Sequence, residues 1–247
     1  AMRIQAACVQ VKESRLFLKL LEAVLKTGNR MNRGTNRGEA DAFKLDALLK
    51  LSDVKSADGK TTLLHFVTEE IIKSEGLKAL QPNDEQGSSS SSSGPEGQKF
   101  ETDVKRKGLE IVIELCSELE SVRKAAGVDA DALTQAVLKL TNGLQSIENR
   151  LKTSFQVKAQ TTGIFTTEDI FSSNMEIFCS QAESDVAKAK EDLEKVLDKV
   201  KKATSYFHGN ARETQPLRLF MIIRDFLNML EKVCRDLAKP LKVKIRG

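Results

Sequence analysis

The chain has 247 residues, 40% of them hydrophobic and 30% charged, with 39 Lys and Arg against 35 Asp and Glu and a net charge of +4. That length supports a sizeable buried core, and so small a charge excess argues against bulk nucleic-acid binding, which needs a concentrated basic face. The absence of Trp, with one Tyr and four Pro, excludes an all-β sandwich or barrel and weakens an α/β reading, whereas abundant Leu, Lys, Glu and Ala suit long helices.

The first helix is expected over Arg3 to Lys26, where Leu16, Leu20, Leu21, Val24 and Leu25 recur at helical spacing. Thr27-Gly28-Asn29 should stop it, with Gly28 in the left-handed position after the helix. A Gly-, Asn- and Arg-rich stretch then leads to Phe43-Lys44-Leu45, and Leu48, Leu49 and Leu51 resume a short helix. Asp58-Gly59 marks a turn. Thr61 to Glu75 reads as a helix with Leu63, Leu64, Val67, Ile71 and Ile72 on its apolar face.

Residues 82–98 read as a flexible loop, because they contain six consecutive serines, Ser88 to Ser93, followed by Gly94-Pro95. Helical pattern continues on both sides, so this is an insertion within one domain, residues 1–247. Leu109 to Ala126 is the next helix, ending at Gly127, and Asp129 opens another. Its residues Leu133, Val137, Leu140, Leu144, Ile147 and Leu151 are spaced as a heptad seam. Ser173 with Glu176 is a capping-box start for a helix whose seam is Val186, Ala189, Leu193, Val196, Val200, Ala203 and Phe207, closed by His208-Gly209-Asn210. Pro216 begins the last helix and Pro240 ends it, leaving residues 239–247 as a basic tail to which no role is assigned. The expected fold is all-α, an elongated helical bundle with coiled-coil packing.

Cys8, Cys116, Cys179 and Cys234 stand too far apart for a CxxC pair and read as free, mostly buried thiols of a reducing compartment. No signal peptide, glycosylation sequon or membrane-length apolar run stands out, and Lys19 and Glu22 interrupt the most apolar stretch, Leu16–Leu25. The expected location is cytoplasmic. Ala1-Met2 resembles an expression scar, so the chain reads as a fragment.

No catalytic constellation emerges, and no cofactor or metal is expected. His65 lies between Leu64 and Phe66 and reads as a satisfied structural histidine. Gly59-Lys60-Thr61 has Val54 where a phosphate loop needs glycine. Carboxylates alternate with lysines over 188–202, as on a solvated helix face. Residues 28–38 are different: three Gly, three Asn and three Arg fall in eleven residues around Met31. Such a segment can be a shaped receptor for a peptide or a helix–helix loop with local Asn hydrogen bonds, and its chemistry supports both equally.

Gly28-Asn29-Arg30-Met31-Asn32, Gly34-Thr35, Ala42-Phe43-Lys44-Leu45, Leu48 to Lys55 and Asp58 to Phe66 together strongly resemble the formin homology 2 domain. Arg30 and Ala42 resemble the plant members, since animal and fungal ones usually carry an aromatic and a glycine there. The resemblance implies a non-enzymatic actin-assembly module: a head-to-tail helical dimer that encircles the filament barbed end, nucleates filaments and stays attached as subunits add. Each half has a lasso, linker, knob, three-helix coiled coil and post, and the lasso of one subunit wraps the post of the other. The resemblance places Gly28, Asn29, Met31, Asn32 and Gly34 in the lasso-receiving site, supported by Phe43 and Leu45. It makes Lys50 and Lys55 the actin-binding candidates, as acidic actin favours cations at a rim.

The family's lasso anchors through tryptophan, which these residues lack, and the motif begins only 28 residues in. The chain therefore reads as the C-terminal part of the domain, post and much of the coiled coil, impaired in nucleation by itself. The expected partners are actin and a second subunit's lasso, without nucleic acid, and with membrane contact only through regions outside these residues. The alternative is a coiled-coil scaffold or tether binding another helical protein.

Overall fold

The computed structural model describes residues 2–36, 38–57, 59–80, 95–158, 167–207 and 215–245. Among them are eight α-helices and one 3-10 helix, with a single isolated bridge between Lys55 and Thr62 as the only β pairing. The all-α expectation is met. The chain divides into two compact units, residues 2–127 with 200–247, and residues 128–199.

In the larger unit, α1 (Met2–Glu13) and α2 (Arg15–Met31) replace the single helix expected over Arg3 to Lys26. Ser14 takes an extended ψ of 101° and its buried hydroxyl accepts from Phe17 N at 3.2 Å, which caps α2 afresh. The chain does not stop at Gly28 either. It stays helical to Met31, and the left-handed residue is Gly34, at φ +80°. A glycine with no β-carbon is permitted at a helix end but does not compel one.

Leu45–Ser52 forms the 3-10 helix. Its buried residues, Leu45, Leu48 and Leu51, recur every third position, the spacing that eclipses side chains on a helix of three residues per turn. Val54 to Leu63 folds back as a small hairpin: Leu63 N donates to Val54 O and Ser56 N to Thr61 O, both at 2.8 Å, while Gly59 takes a φ of +68°.

α3 (Leu63–Leu80) outruns the expected end at Glu75, and α4 (Pro95–Glu118) follows. Residues 81–94, including the serine run, lie outside the described residues. The last four residues of the expected loop, 95–98, are the first turn of α4, where Pro95 occupies the position that tolerates proline best. The helix expected to run on to Ala126 breaks at fully buried Leu119, and α5 (Glu120–Ala125) completes it. α3 and α4 approach so closely that a β-carbon on Gly76 would meet Val104 O at 2.0 Å and one on Gly108 would meet Ile72 O at 1.8 Å. Phe17 of α2 is a hub of the core, packing edge-on against Phe207 at 6.1 Å and Phe226 at 6.5 Å.

α8 (Arg218–Ile245) passes through Pro240 instead of ending there, so residues 239–245 are helical; residues 246–247 lie outside the described residues. Proline removes one helical hydrogen bond but need not end a helix. α7 (Thr167–Tyr206) begins six residues before Ser173. Ser173 and Glu176 are exposed positions inside it, so their spacing marks no cap. Of the expected seam, Val186, Ala189 and Leu193 are half-buried, and Val196, Val200, Ala203 and Phe207 are fully buried. The stop at His208-Gly209-Asn210 lies outside the described residues.

The smaller unit holds α6 (Ala130–Lys158) and the first part of α7. Asp129 caps α6, its Oδ1 accepting from Ala132 N at 2.9 Å. The expected seam of α6 is met in part: Leu133 and Leu140 are exposed, while Val137, Leu144, Ile147 and Leu151 are half-buried together with Thr141 and Glu148. Four of the six seam residues thus share the half-buried face.

Candidate functional site

The Gly- and Asn-rich segment lies at the C-terminal end of α2, a helix rooted in the core by Leu16, Phe17, Leu20 and Val24. Beyond Met31 the chain turns tightly. Asn32 N and Nδ2 both donate to Gly28 O, at 3.0 and 2.9 Å, so the asparagine caps the helix end with its backbone and its side chain. Thr35 donates to Asn32 O twice, from N at 3.0 Å and from Oγ1 at 2.8 Å. Asn29 reaches across to Ala40. Gly28, Asn29 and Asn32 are half-buried, Gly34 is exposed, and Met31 is 57% exposed.

Phe43 is half-buried and leads into buried Leu45. The 3-10 helix is tied to α8 by Asp46, which pairs with Arg218 at 2.6 Å, and by Ser52 Oγ, which donates to Met229 Sδ at 3.2 Å. Lys50 lies a third of a turn away from the face of the three buried leucines and is exposed. Lys55 is exposed in the hairpin, its backbone bridged to Thr62. Thr62 and His65 cap α3 reciprocally: Oγ1 and Nδ1 share a 2.8 Å hydrogen bond, and the two backbone N–H groups donate to the opposite side chains at 3.4 Å. His65 is thus a structural residue.

A buried carboxylate ties the N-terminal end of α2 to α3. Glu75 of α3 is 3% exposed and accepts from Arg15 Nη2 at 2.6 Å and from Lys19 Nζ. Burial pushes its carboxyl up, but the hydrogen bonds and charges of Arg15 and Lys19 outweigh that and hold it at about 2. Lys19 Nζ also donates to Ser74 Oγ at 2.7 Å, so α2 and α3 are fastened by three polar contacts.

The structure brings Gly28, Asn29, Asn32 and Gly34 into one hydrogen-bonded turn and leaves Met31 at its surface. It sets Lys50 and Lys55 on separate elements, both open to solvent. Sequence reading missed Ala40 as the partner of Asn29, Glu39 at φ +59°, and the Glu75 cluster. Acidic residues spaced through amphipathic helices give no signal of which one is buried. Among the described residues, no group of His, Cys, Asp and Glu could hold a metal, and no helix is long and apolar enough to cross a membrane.

The profile of the Formin Homology 2 Domain matches residues 1–231. Formin-like protein 1 of Arabidopsis thaliana is 43% identical over 237 residues, 95% of this chain and 21% of that protein. Formin-like protein 4 of Oryza sativa subsp. japonica is 48% identical over 238 residues, 96% of this chain and 26% of that protein. Formin-like protein 3 of Arabidopsis thaliana is 46% identical over 242 residues, 97% of this chain and 29% of that protein. The chain thus spans less than a third of each of these curated relatives.

Proposed function

Because the chain belongs to the formin homology 2 domain family, we propose that it is the actin-binding module of a formin, contributing in the assembled dimer to filament nucleation and to processive capping of the barbed end. The observation that carries this reading is identity of 43% or more with formin-like proteins across nearly the whole chain. The open placement of Lys50 and Lys55 supports them as actin contacts, since exposed ammonium groups steer an acidic partner at little desolvation cost. The exposed Met31 and Gly34, beside Gly28, Asn29, Asn32, Phe43 and Leu45, support the turn after α2 as the receptor for a second subunit's lasso. The protein works in the cytoplasm on the actin cytoskeleton.

Residues 1–247 contain no tryptophan, so a polypeptide of these residues alone cannot supply the anchor of the family's lasso and nucleates weakly. Filament co-sedimentation alongside a pyrene-actin assembly assay tests both halves. Pelleting with filaments and a lag barely shortened are expected; no pelleting would overturn actin binding, and strong nucleation would overturn the impairment.

A second reading, a tether for another helical protein, draws on one observation. Ile170, Phe171, Ile177 and Phe178 of α7 are each more than half exposed and recur at seven-residue spacing. A tether is indifferent to Lys50→Glu and Lys55→Glu, whereas an actin-binding module is weakened by them.

A further inference from the structure

Asn29 and Ala40 stand eleven residues apart and exchange two hydrogen bonds: Asn29 Nδ2 donates to Ala40 O, and Ala40 N donates to Asn29 Oδ1, each at 2.9 Å. A carboxamide offers one donor side and one acceptor side, so it satisfies both backbone groups of Ala40 as a neighbouring strand would. Between the two residues the backbone is constrained at two points. Glu39 adopts φ +59°, a left-handed value that costs a residue with a β-carbon. Gly38 lies so close to the preceding turn that a β-carbon there would be 2.7 Å from Asn32 O. Such backbone persists only where its surroundings over-determine it, and the clasp closes the loop back onto α2.

The amides of Asn29 and Asn32 are thereby engaged by this chain's own backbone, at Ala40 and Gly28. The exposed residues of the turn are instead Arg30, Met31, Arg33, Gly34, Thr35 and Asn36, and Phe43, farther along the loop, is half-buried. We propose that Asn29 is a positioning residue: it sets the shape of the docking loop from within, and the incoming segment meets Met31, Gly34 and Phe43 in place of the asparagine side chain. This rests on the reading of the loop as a lasso receptor and says how that receptor is built. A loop ordered before binding spares the partner the entropy of ordering it.

The test compares wild type with Asn29→Ala, which removes both clasp bonds, and Asn29→Asp, which keeps the acceptor and loses the donor. The readouts are hydrogen–deuterium exchange at the Ala40 amide, the melting temperature, and affinity for a synthetic peptide of a tryptophan-bearing formin homology 2 lasso. Asn29→Ala is expected to speed Ala40 exchange about tenfold and weaken the peptide about tenfold, with the melting temperature little changed. Asn29→Asp should be intermediate, and it carries the test if the alanine variant fails to fold. Met31→Ser should weaken the peptide without altering Ala40 exchange. Unchanged exchange in both Asn29 variants overturns the clasp, and faster exchange with full peptide affinity overturns its role in docking. A wild-type chain that ignores the peptide overturns the receptor reading and this inference together, and is told apart by failing before any substitution.

Discussion

Gly76 of α3 faces Gly108 of α4 so closely that a β-carbon on Gly76 would lie 3.1 Å from the Gly108 nitrogen, and 2.0 Å from the nearby Val104 oxygen. The obstruction is helix backbone, which cannot rotate aside as a side chain can. Gly108→Ala should therefore destabilise the protein by about 3 kcal/mol, the upper range for an overpacked core, even though alanine favours an isolated helix by about 1 kcal/mol. Guanidinium unfolding measures the balance; a stabilised Gly108→Ala variant would mean that the two helices do not meet there.

Glu75 should make stability fall in acid. Its carboxyl is held at about 2, against an ordinary 4.5. A folded-state value below the unfolded one gives stabilisation that is complete above roughly pH 5 and is lost as pH falls toward 2. Arg15 is mostly exposed, which screens its share, so the contribution is about 2 kcal/mol. Glu75→Gln should cost that amount at pH 7 and flatten the stability profile between pH 5 and 2. An equally steep profile in the variant would place the acid sensitivity elsewhere.

The thiols should be inert in the native protein. Burial pushes Cys116 up to about 11, with Glu231 adding to it, and Cys234 up to about 12. Cys179 is likewise raised by burial, and Cys8 is buried. Because the thiolate is the reactive form, Ellman's reagent at pH 8 should label native protein slowly and all four cysteines at once in guanidinium. Rapid native labelling would show that one of these helices opens.

The sequence was most legible where a single physical signal dominates. The heptad of α7 from Val186 to Phe207 lies on the face the fold buries, because apolar residues at alternating three- and four-residue spacing have one side to hide. Gly28 and Pro240 misled in the same way, each read as a stop although the helix runs through it. At Gly76 the missing β-carbon serves a neighbouring helix, and nothing local announces that. Ser14 is the converse case, a break within an unbroken apolar pattern that becomes intelligible once its hydroxyl is seen capping Phe17. In the candidate site, the composition of residues 28–38 marked the turn, but the pairing of Asn29 with Ala40 depends on where the loop returns. Leu133 and Leu140 fit a seam by spacing and are exposed, because spacing does not say which of two adjacent stripes a partner helix covers.

We propose that this module holds actin through cations on the 3-10 helix and the hairpin. The decisive experiment compares the affinity of the chain for actin filaments with Lys50 and Lys55 both reversed to Glu, beside a control reversal of exposed Lys188 and Lys190 on α7. The account predicts that the first pair weakens binding about tenfold, or ~1.4 kcal/mol, most visibly at low salt, and that the control leaves it unchanged. Equal affinity for all three proteins would contradict it.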